Sequence, residues 1–308
     1  GQAYFIVHYL DSKYGFGFKI NQDTSVTFRI GLAIEQIPTA TIHGHKHESD
    51  EVTALKTSLT KGQLAKKGAT SLGEALQGVN GVGFLRTGAS IAKPVINGMH
   101  SNRLAIITAG STLENQQWGT EHAPGLDPLN GGSLEVLKGA TTLLYGNDAI
   151  GGVVRMIPGS FVEKQYDQLK IFSKFQSNPL ALQLGAQYER FDSAIGWGNR
   201  ITLNVKKAGD AYSPDYVLSN TGYSQLSANY YTHFHRGEHQ FSVNLTSFNQ
   251  LLGILASSHI GNQSDLKRAL ESDNPLIVRP YTFDIATPYQ RVNHHTAQLI
   301  WEYQESVL

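Results

Sequence analysis

From about residue 164 to its end, the chain repeatedly alternates apolar and polar side chains with a period of two. In residues 182–189, for example, Leu, Ala and Tyr side chains alternate with Gln, Gly and Glu. Successive side chains of a β-strand point to opposite faces, so each such segment predicts a strand with one apolar and one polar face. Further segments of this kind cover residues 201–205, 226–230, 241–245 and 297–303.

The connections between these predicted strands differ in length. Residues 235–239 form a short connection, whereas residues 207–223 and 257–292 are long and polar. Short turns at one end and long loops at the other are typical of outer-membrane β-barrels. A soluble β-sandwich also alternates, so the pattern alone leaves both architectures open. A barrel needs aromatic girdles at its two membrane interfaces, for which the candidates are Tyr188, Tyr230, Tyr231, Trp301 and Tyr303.

Composition excludes several classes of function. The formal net charge is zero, so the chain lacks the basic surface expected for binding nucleic acid. It contains no Cys, which excludes disulfides, thiolate catalysis and iron–sulfur clusters. Neither a G-x-S-x-G elbow nor an H-E-x-x-H zinc motif occurs, and we predict no enzymatic activity and no resident cofactor. No apolar run reaches the ~18 residues of a membrane helix, which leaves transmembrane strands possible.

The middle of the chain predicts a different, mixed structure. Thr60–Gln63 and Ser71–Glu74 both match the capping box that opens a helix. Gly68 is suited to end the first helix. The second helix is predicted to bury four residues on one side, namely Leu72, Ala75, Leu76 and Val79.

Short apolar runs predict strands on both sides of these helices. In the middle region the runs at residues 95–96, 104–107 and 134–137 suit a small sheet in an α+β domain. Near the N-terminus, β-branched and aromatic runs predict a small β-module with strands at residues 4–10, 14–20 and 24–30.

An ordered series of motifs in the middle region resembles the plug domain of TonB-dependent outer-membrane receptors. The motifs are Ser71–Val82, Pro94–Gly98, Asn102–Leu104, Leu134–Gly139 and Leu144–Val154. The whole chain is similar to a Bacteroidetes-type receptor of this family. The resemblance implies an α+β plug followed by antiparallel transmembrane β-barrel strands and preceded by part of a small β-sandwich.

The resemblance divides the chain into four parts. Residues 1–34 are similar to the end of a carboxypeptidase-regulatory-like β-domain, 35–49 to a linker, 50–160 to the plug, and 161–308 to the first barrel strands. Such barrels have about 22 strands around a plugged lumen, whereas about six are expected here. Residues 306–308 also lack the terminal aromatic residue usual for such barrels. We therefore expect a fragment with a truncated barrel.

The family implies active transport across the outer membrane of a Gram-negative cell. The plug and the N-terminal module would face the periplasm, and TonB with its inner-membrane energising complex would drive import. The expected cargo is a metal ion or metal chelate, namely zinc, an iron-siderophore complex or haem, with cobalamin and carbohydrate still open. The alternatives are a signalling or binding receptor without import, and a soluble β-sandwich adhesion protein.

Residues 35–42 lie where the family carries the TonB box, an extended segment that adds as a strand to TonB. Pro38 favours an extended residue before it, and two Thr favour strand. The alternative is a simple linker. The predicted TonB-binding residues are Ile37, Pro38, Thr39, Ala40, Thr41 and Ile42.

Two groups of residues are candidates for binding a metal. In the linker, His43, His45 and His47 share one face if the segment is extended, and the alternative is a solvated polar linker. In a plug loop, the adjacent Glu121 and His122 provide half of a zinc site. A similar acidic-His pair is a ligand in some zinc receptors of the family. The remaining ligands are expected from barrel positions, for which the candidates are His259, Asp284 and His294.

The same plug loop is the predicted substrate-binding site, because the family contacts its cargo with loops at the outer apex of the plug. Metal ligation, another kind of substrate contact and bracing against the barrel wall all remain open for it. Its candidate residues are Glu114, Gln117, Trp118, Glu121, His122 and Asp127.

Two further predictions concern the plug. Arg103 is predicted to make an electrostatic contact with the barrel. Gly146, Gly151 and Gly152 lack the Lys-Ser/Thr of a phosphate-binding loop, so we expect them to serve positive φ angles or tight packing.

Overall fold

The computed structural model describes residues 2–9, 12–19, 55–69, 71–86, 91–114, 124–258 and 262–303. The chain forms two compact units, residues 1–51 and 52–308. In the first unit, strands β1 (Gln2–Tyr9) and β2 (Ser12–Lys19) pair as an antiparallel hairpin. This confirms the first two predicted N-terminal strands. The third, at residues 24–30, lies outside the described residues.

Residues 55–157 of the second unit form a domain of mixed structure, here called the mixed domain. Its strands are β3 (Leu55–Thr60), β4 (Val82–Arg86), β5 (Ala92–Ile96), β6 (Leu104–Thr108), β7 (Ser111–Thr112), β8 (Ser133–Lys138) and β9 (Gly152–Ile157). Five of them form a sheet in the order β3-β8-β9-β6-β7, in which only the β6–β9 pair is parallel. Strands β4 and β5 form a separate hairpin.

Both predicted helices are present. Helix α1 (Lys61–Lys67) has the complete Thr60–Gln63 capping box, and Gly68 ends it in the left-handed conformation. Helix α2 (Leu72–Ala75) begins at its Ser71 cap but is only 4 residues long. The four residues predicted for its buried side are all buried, at Leu72, Ala75, Leu76 and Val79.

The apolar core of the mixed domain lies between its helices and its five-stranded sheet. Leu64 and Leu76 from the helical segments pack with Leu134, Val136 and Val154 from the sheet. Each of these five side chains is at most 1% exposed. The predicted α+β character of this region is thus confirmed by a helix-on-sheet core.

Residues 166–303 contain a six-stranded antiparallel sheet, here called the strand wall. Its strands in order are β10 (Tyr166–Ser177), β11 (Leu180–Asp192), β12 (Trp197–Ala208), β15 (Tyr223–Arg236), β16 (His239–Gly253) and β17 (Tyr289–Tyr303). A small hairpin, β13 (Ala211–Tyr212) with β14 (Val217–Leu218), lies within the β12–β15 connection. Helix α3 (Gln263–Glu271) lies within the β16–β17 connection.

The two faces of the strand wall are inverted relative to a soluble protein. On β11, Leu182 and Leu184 are 48% and 50% exposed, whereas Gln183 and Gln187 are 4% and 3% exposed. A soluble β-sandwich buries its apolar face, so this alternative from the sequence is wrong. Apolar residues facing outward and polar residues facing inward are the arrangement of a transmembrane barrel wall.

Aromatic side chains mark the end of the wall at which β10 begins. Trp197, Phe241 and Trp301 are exposed there, and the Phe241 and Trp301 rings stack with centroids 6.2 Å apart. These positions suit an interfacial girdle. Tyr231, predicted for the girdle, instead faces inward and stacks on Phe161 at 5.6 Å. No helix in the described part of the chain has the length and hydropathy needed to cross a membrane.

Candidate functional site

The mixed domain docks on the polar face of the strand wall, and β12 supplies a row of side chains for that contact. Asn204 donates a hydrogen bond of 3.0 Å from Nδ2 to Asn130 Oδ1. Arg200 donates one of 2.7 Å from Nη1 to the carbonyl of Gly159, in the segment that leaves the mixed domain. Because alternate residues of a strand share a face, both side chains point toward the mixed domain.

A buried ion pair adds a third contact to this row. The ammonium of Lys206 lies 3.2 Å from Asp127 Oδ1, and the two side chains are 1% and 0% exposed. Asp127 Oδ2 accepts hydrogen bonds of 2.7 Å from Gln225 and from Ser227, both on β15. Asp127 also caps the turn after it, since Oδ1 accepts from the Leu129 N–H at 3.0 Å. The Asp127 carboxylate therefore connects the turn at residues 128–130 of the mixed domain to strands β12 and β15 of the wall.

A second charged pair lies within the wall. Arg200 and Glu189 form an ion pair in which the side chains are 8% and 12% exposed. The guanidinium of Arg200 also stacks 4.7 Å from the ring centroid of Phe161. Arg200 thereby holds the residues that connect the mixed domain to β10 by hydrogen bonding, charge and stacking together.

Lys61 brings the mixed domain into contact with β11. Its ammonium donates a hydrogen bond to Gln187 Oε1. Burial, together with the nearby positive charge of Arg200, lowers the pKa of Lys61 to about 8. Lys61 is therefore a charge that is costly to keep buried at the docking surface.

A cavity of about 260 Å³ opens beside Phe161, the residue on which Arg200 stacks. It is lined by Phe161 and Glu163 and by three inward residues of β15, Tyr231, His233 and His235. In the described part of the chain, no three His, Asp or Glu side chains are grouped so that they could hold a metal ion. The cavity therefore combines aromatic side chains, Phe161 and Tyr231, with separate polar side chains that do not form a metal site.

The structure describes only the two ends of the predicted substrate-binding loop. Asp127 is buried and its carboxylate is used by the contact with the wall, as described above. Glu114 is exposed, two residues after the end of β7. Residues 115–123, which include Gln117, Trp118, Glu121 and His122, lie outside the described residues. The structure thus leaves their predicted role untested.

Both flanks of this loop contact β17. Gly110 lies so close to the Gln298 side chain that a Cβ atom would collide with it, and at Gly125 a Cβ would lie 2.7 Å from Val292 Cγ1. His294, one of the candidate zinc ligands, is half-buried on the same inward face, between Val292 and Gln298. The two ends of the loop therefore bracket the part of β17 that carries His294.

The remaining predicted ligands lie elsewhere. Asp284 is exposed in the β16–β17 connection. His259 and the linker residues His43, His45 and His47 lie outside the described residues, as does the predicted TonB box, residues 35–42. Neither metal prediction is tested by the structure.

The predicted electrostatic role of Arg103 is not supported. Arg103 is exposed, and in the described ranges it forms no ion pair with the wall. The charged contact between the two parts is instead Asp127 with Lys206, in which the wall supplies the cation. Sequence reasoning missed Lys206 and Arg200, although charged residues at polar positions of an alternating strand were the available signal.

The glycines predicted to serve positive φ angles or tight packing have these roles in the mixed domain. Gly146 has a φ of 97°, which favours glycine. At Gly151, a Cβ atom would lie 2.6 Å from Met99 Cβ and 2.9 Å from the carbonyl oxygen of Arg103. Tight backbone packing therefore explains this position without a phosphate ligand.

Known proteins resemble this arrangement. Residues 48–153 match the family model described as TonB-dependent Receptor Plug Domain. A vitamin B12 transporter, BtuB from Vibrio vulnificus (strain CMCP6), is 28% identical over 144 residues, which is 44% of this chain and 23% of that protein. The chain therefore spans less than a quarter of this relative's length.

Solved structures show the same fold at low identity. The copper transporter OprC has a TM-score of 0.56 at 16% identity, over 65% of this chain and 31% of that one. The siderophore receptor PirA from Acinetobacter baumannii has a TM-score of 0.51 at 16% identity, over 63% of this chain and 31% of that one. The mixed domain and the strand wall thus have the fold of these proteins' corresponding parts.

Proposed function

Because the chain belongs to the TonB-dependent outer-membrane receptors, we propose that the intact protein imports a scarce metal ion or metal chelate. The mixed domain is the plug of this family, and the strand wall is part of the barrel around it. The protein resides in the outer membrane with its plug facing the periplasm, and it is a transport protein or receptor rather than an enzyme.

One observation carries this proposal: the plug docks by polar and charged contacts on a wall whose apolar face points outward. Asp127 with Lys206 and Asn130 with Asn204 exemplify these contacts. A plug held by polar side chains leaves a hydrophilic lumen when it moves, whereas an apolar contact would seal it. This arrangement supports a hydrophilic path that the plug gates in the intact protein.

The energy for gating would come from TonB. We propose that residues 37–42 add as an extended strand to TonB, which pulls on the plug through the linker. The sequence of this segment, with Pro38 and two Thr, supports an extended conformation. No covalent chemistry is required, since substrate is bound at the outer face and released to the periplasm.

Zinc is the cargo that we favour, with Glu121 and His122 as plug ligands. The position of His294 supports this choice, because it lies on the inward face of β17 between the residues that contact Gly110 and Gly125. Glu114, Gln117 and Trp118 are proposed to contact the cargo as well. A carboxylate with two imidazoles provides three of the four ligands that zinc prefers.

Calorimetric titration of the full-length receptor in detergent tests the cargo. Zinc, an iron-loaded siderophore, haem and vitamin B12 would each be titrated. We expect saturable zinc binding that His122→Ala abolishes and that simultaneous His43→Ala, His45→Ala and His47→Ala leaves intact. Binding that follows only the linker histidines, or saturable binding of an organic chelate instead of zinc, would contradict the zinc assignment.

A further inference from the structure

We propose that Lys206 and Asp127 are positioning residues for cargo recognition, because their ion pair fixes the base of the plug loop that ends at Asp127. This inference rests on the proposed function, in which that loop contacts the cargo. It also revises the role of Asp127, which the sequence had placed among the residues that touch substrate.

Asp127 joins three elements at one point. Its Oδ1 caps the turn at residues 128–130 and lies 3.2 Å from Lys206 on β12. Its Oδ2 accepts hydrogen bonds of 2.7 Å from Gln225 and Ser227 on β15. Residue 127 is therefore held simultaneously by the plug and by two strands of the wall, and it has no oxygen left over for a ligand at the outer face.

The loop leaves this point in a defined place. Leu113 and Leu126 are 7% and 6% exposed and belong to the apolar core of the mixed domain. Both ends of the loop are thus fixed within the plug, and Gly125 packs against Val292 of β17. The Asp127–Lys206 pair adds a contact with β12, which fixes the position of the loop base along that strand.

The charge of Lys206 favours one partner in this arrangement. Within the described residues, Asp127 is the only acidic side chain in ion-pair distance of Lys206. Removing Lys206 leaves the buried Asp127 carboxylate with neutral donors but no cation, and removing Asp127 leaves the buried Lys206 ammonium with no anion. Either change therefore weakens the contact between the loop base and the wall. Groups that orient metal ligands from behind typically change metal affinity by about 10–100-fold when they are removed.

The test compares Lys206→Met with Lys207→Met in the full-length receptor. Lys207 is the adjacent residue, is exposed on the opposite face, and donates to the carbonyl of Phe283 at 3.2 Å. Zinc affinity is measured by calorimetry, and hydrogen exchange is measured by mass spectrometry for peptides covering residues 111–126 and 133–138. We expect Lys206→Met to weaken zinc binding about 10–100-fold and to accelerate exchange in 111–126 but not in 133–138. Lys207→Met should change neither.

Three results would overturn the inference. They are unchanged zinc affinity in Lys206→Met when the wild type binds zinc, equal acceleration of exchange in both peptides, and no acceleration in either. If the wild type binds no zinc, the cargo assignment fails, and the exchange measurement alone decides the positioning role. If Lys206→Met does not fold, Asp127→Asn, which keeps the shape of the side chain, is measured in its place with the same expectations.

Discussion

Arg200 and Gly159 connect the barrel wall to the exit of the plug: the guanidinium donates a hydrogen bond of 2.7 Å to the Gly159 carbonyl. The same guanidinium is paired with Glu189. One side chain therefore fixes the segment between the plug and β10 and compensates a buried carboxylate. Any motion of the plug that leaves its C-terminal end in place must preserve this contact.

Replacing Arg200 by Met should destabilise the receptor by about 3–5 kcal/mol, because Glu189 is left buried and unpaired by Arg200. The double variant Arg200→Met with Glu189→Gln should recover most of this loss. Arg190→Met, at an exposed position on the outward face of the same wall, is the matched control. Urea unfolding in detergent measures the wild type, Arg200→Met, Glu189→Gln, the double variant and the control. Additive losses in the double variant would show that the two residues are not coupled.

The outward face of β12 should reject charge. Leu203 is 48% exposed and lies in the middle of the apolar face, so Leu203→Arg should cost about 2–4 kcal/mol in a bilayer. Leu270 of helix α3 is 78% exposed in a connection between strands, and Leu270→Arg should cost nothing measurable. Folding into lipid vesicles at graded urea concentrations compares them. Equal tolerance of both changes would mean that this face does not contact lipid.

The half-buried ammonium of Lys61 should make plug stability depend on pH. Its pKa is about 8 in the folded state and 10.5 ordinarily, so the unfolded chain binds more protons between these values. Stability should therefore rise as pH increases from 8 to 10.5. Lys61→Met should remove this rise, whereas Lys66→Met, at an exposed position on the same helix, should retain it. Urea midpoints at several pH values test this, and a rise that persists in Lys61→Met would refute it.

Two plug glycines should respond oppositely to the same substitution. A Cβ at Gly132 would collide with the backbone of Gly159, so Gly132→Ala should destabilise the plug by about 1–3 kcal/mol. Gly62 lies in helix α1 with no atom within 4 Å of an added Cβ, so Gly62→Ala should stabilise it by about 0.5–1 kcal/mol. Thermal unfolding compares the two variants. A neutral Gly132→Ala would indicate that residues 132 and 159 separate easily.

Much of the fold was predictable from the sequence because its signals are local. The capping box at Thr60 and the alternation at residues 182–188 each depend on a few neighbouring residues, and both are confirmed. Periodicity could not tell which face of a strand is buried, because a barrel and a sandwich share the same period. The structure decides this question, because Gln183 is buried on the inward face whereas Leu184 is exposed on the outward face.

The docking contacts were much less predictable. Asp127 and Lys206 are far apart in the chain, and their pairing depends on how the plug sits against β12. An acidic residue at the end of a polar loop suggests a ligand, whereas here it is the partner of a buried lysine. The proposed ligands Glu121 and His122 lie outside the described residues, so their role stays a prediction.

Energy-dependent uptake tests the central claim most directly. Cells expressing the full-length receptor would be given radioactive zinc, with and without TonB and with and without a protonophore. Thr41→Pro, which removes a backbone donor from the predicted TonB-binding strand, provides a matched variant. We predict zinc accumulation only when TonB and the proton gradient are both present, and loss of uptake but not of zinc binding in Thr41→Pro. Binding without uptake in the wild type, or uptake that is indifferent to TonB, would contradict import by this receptor.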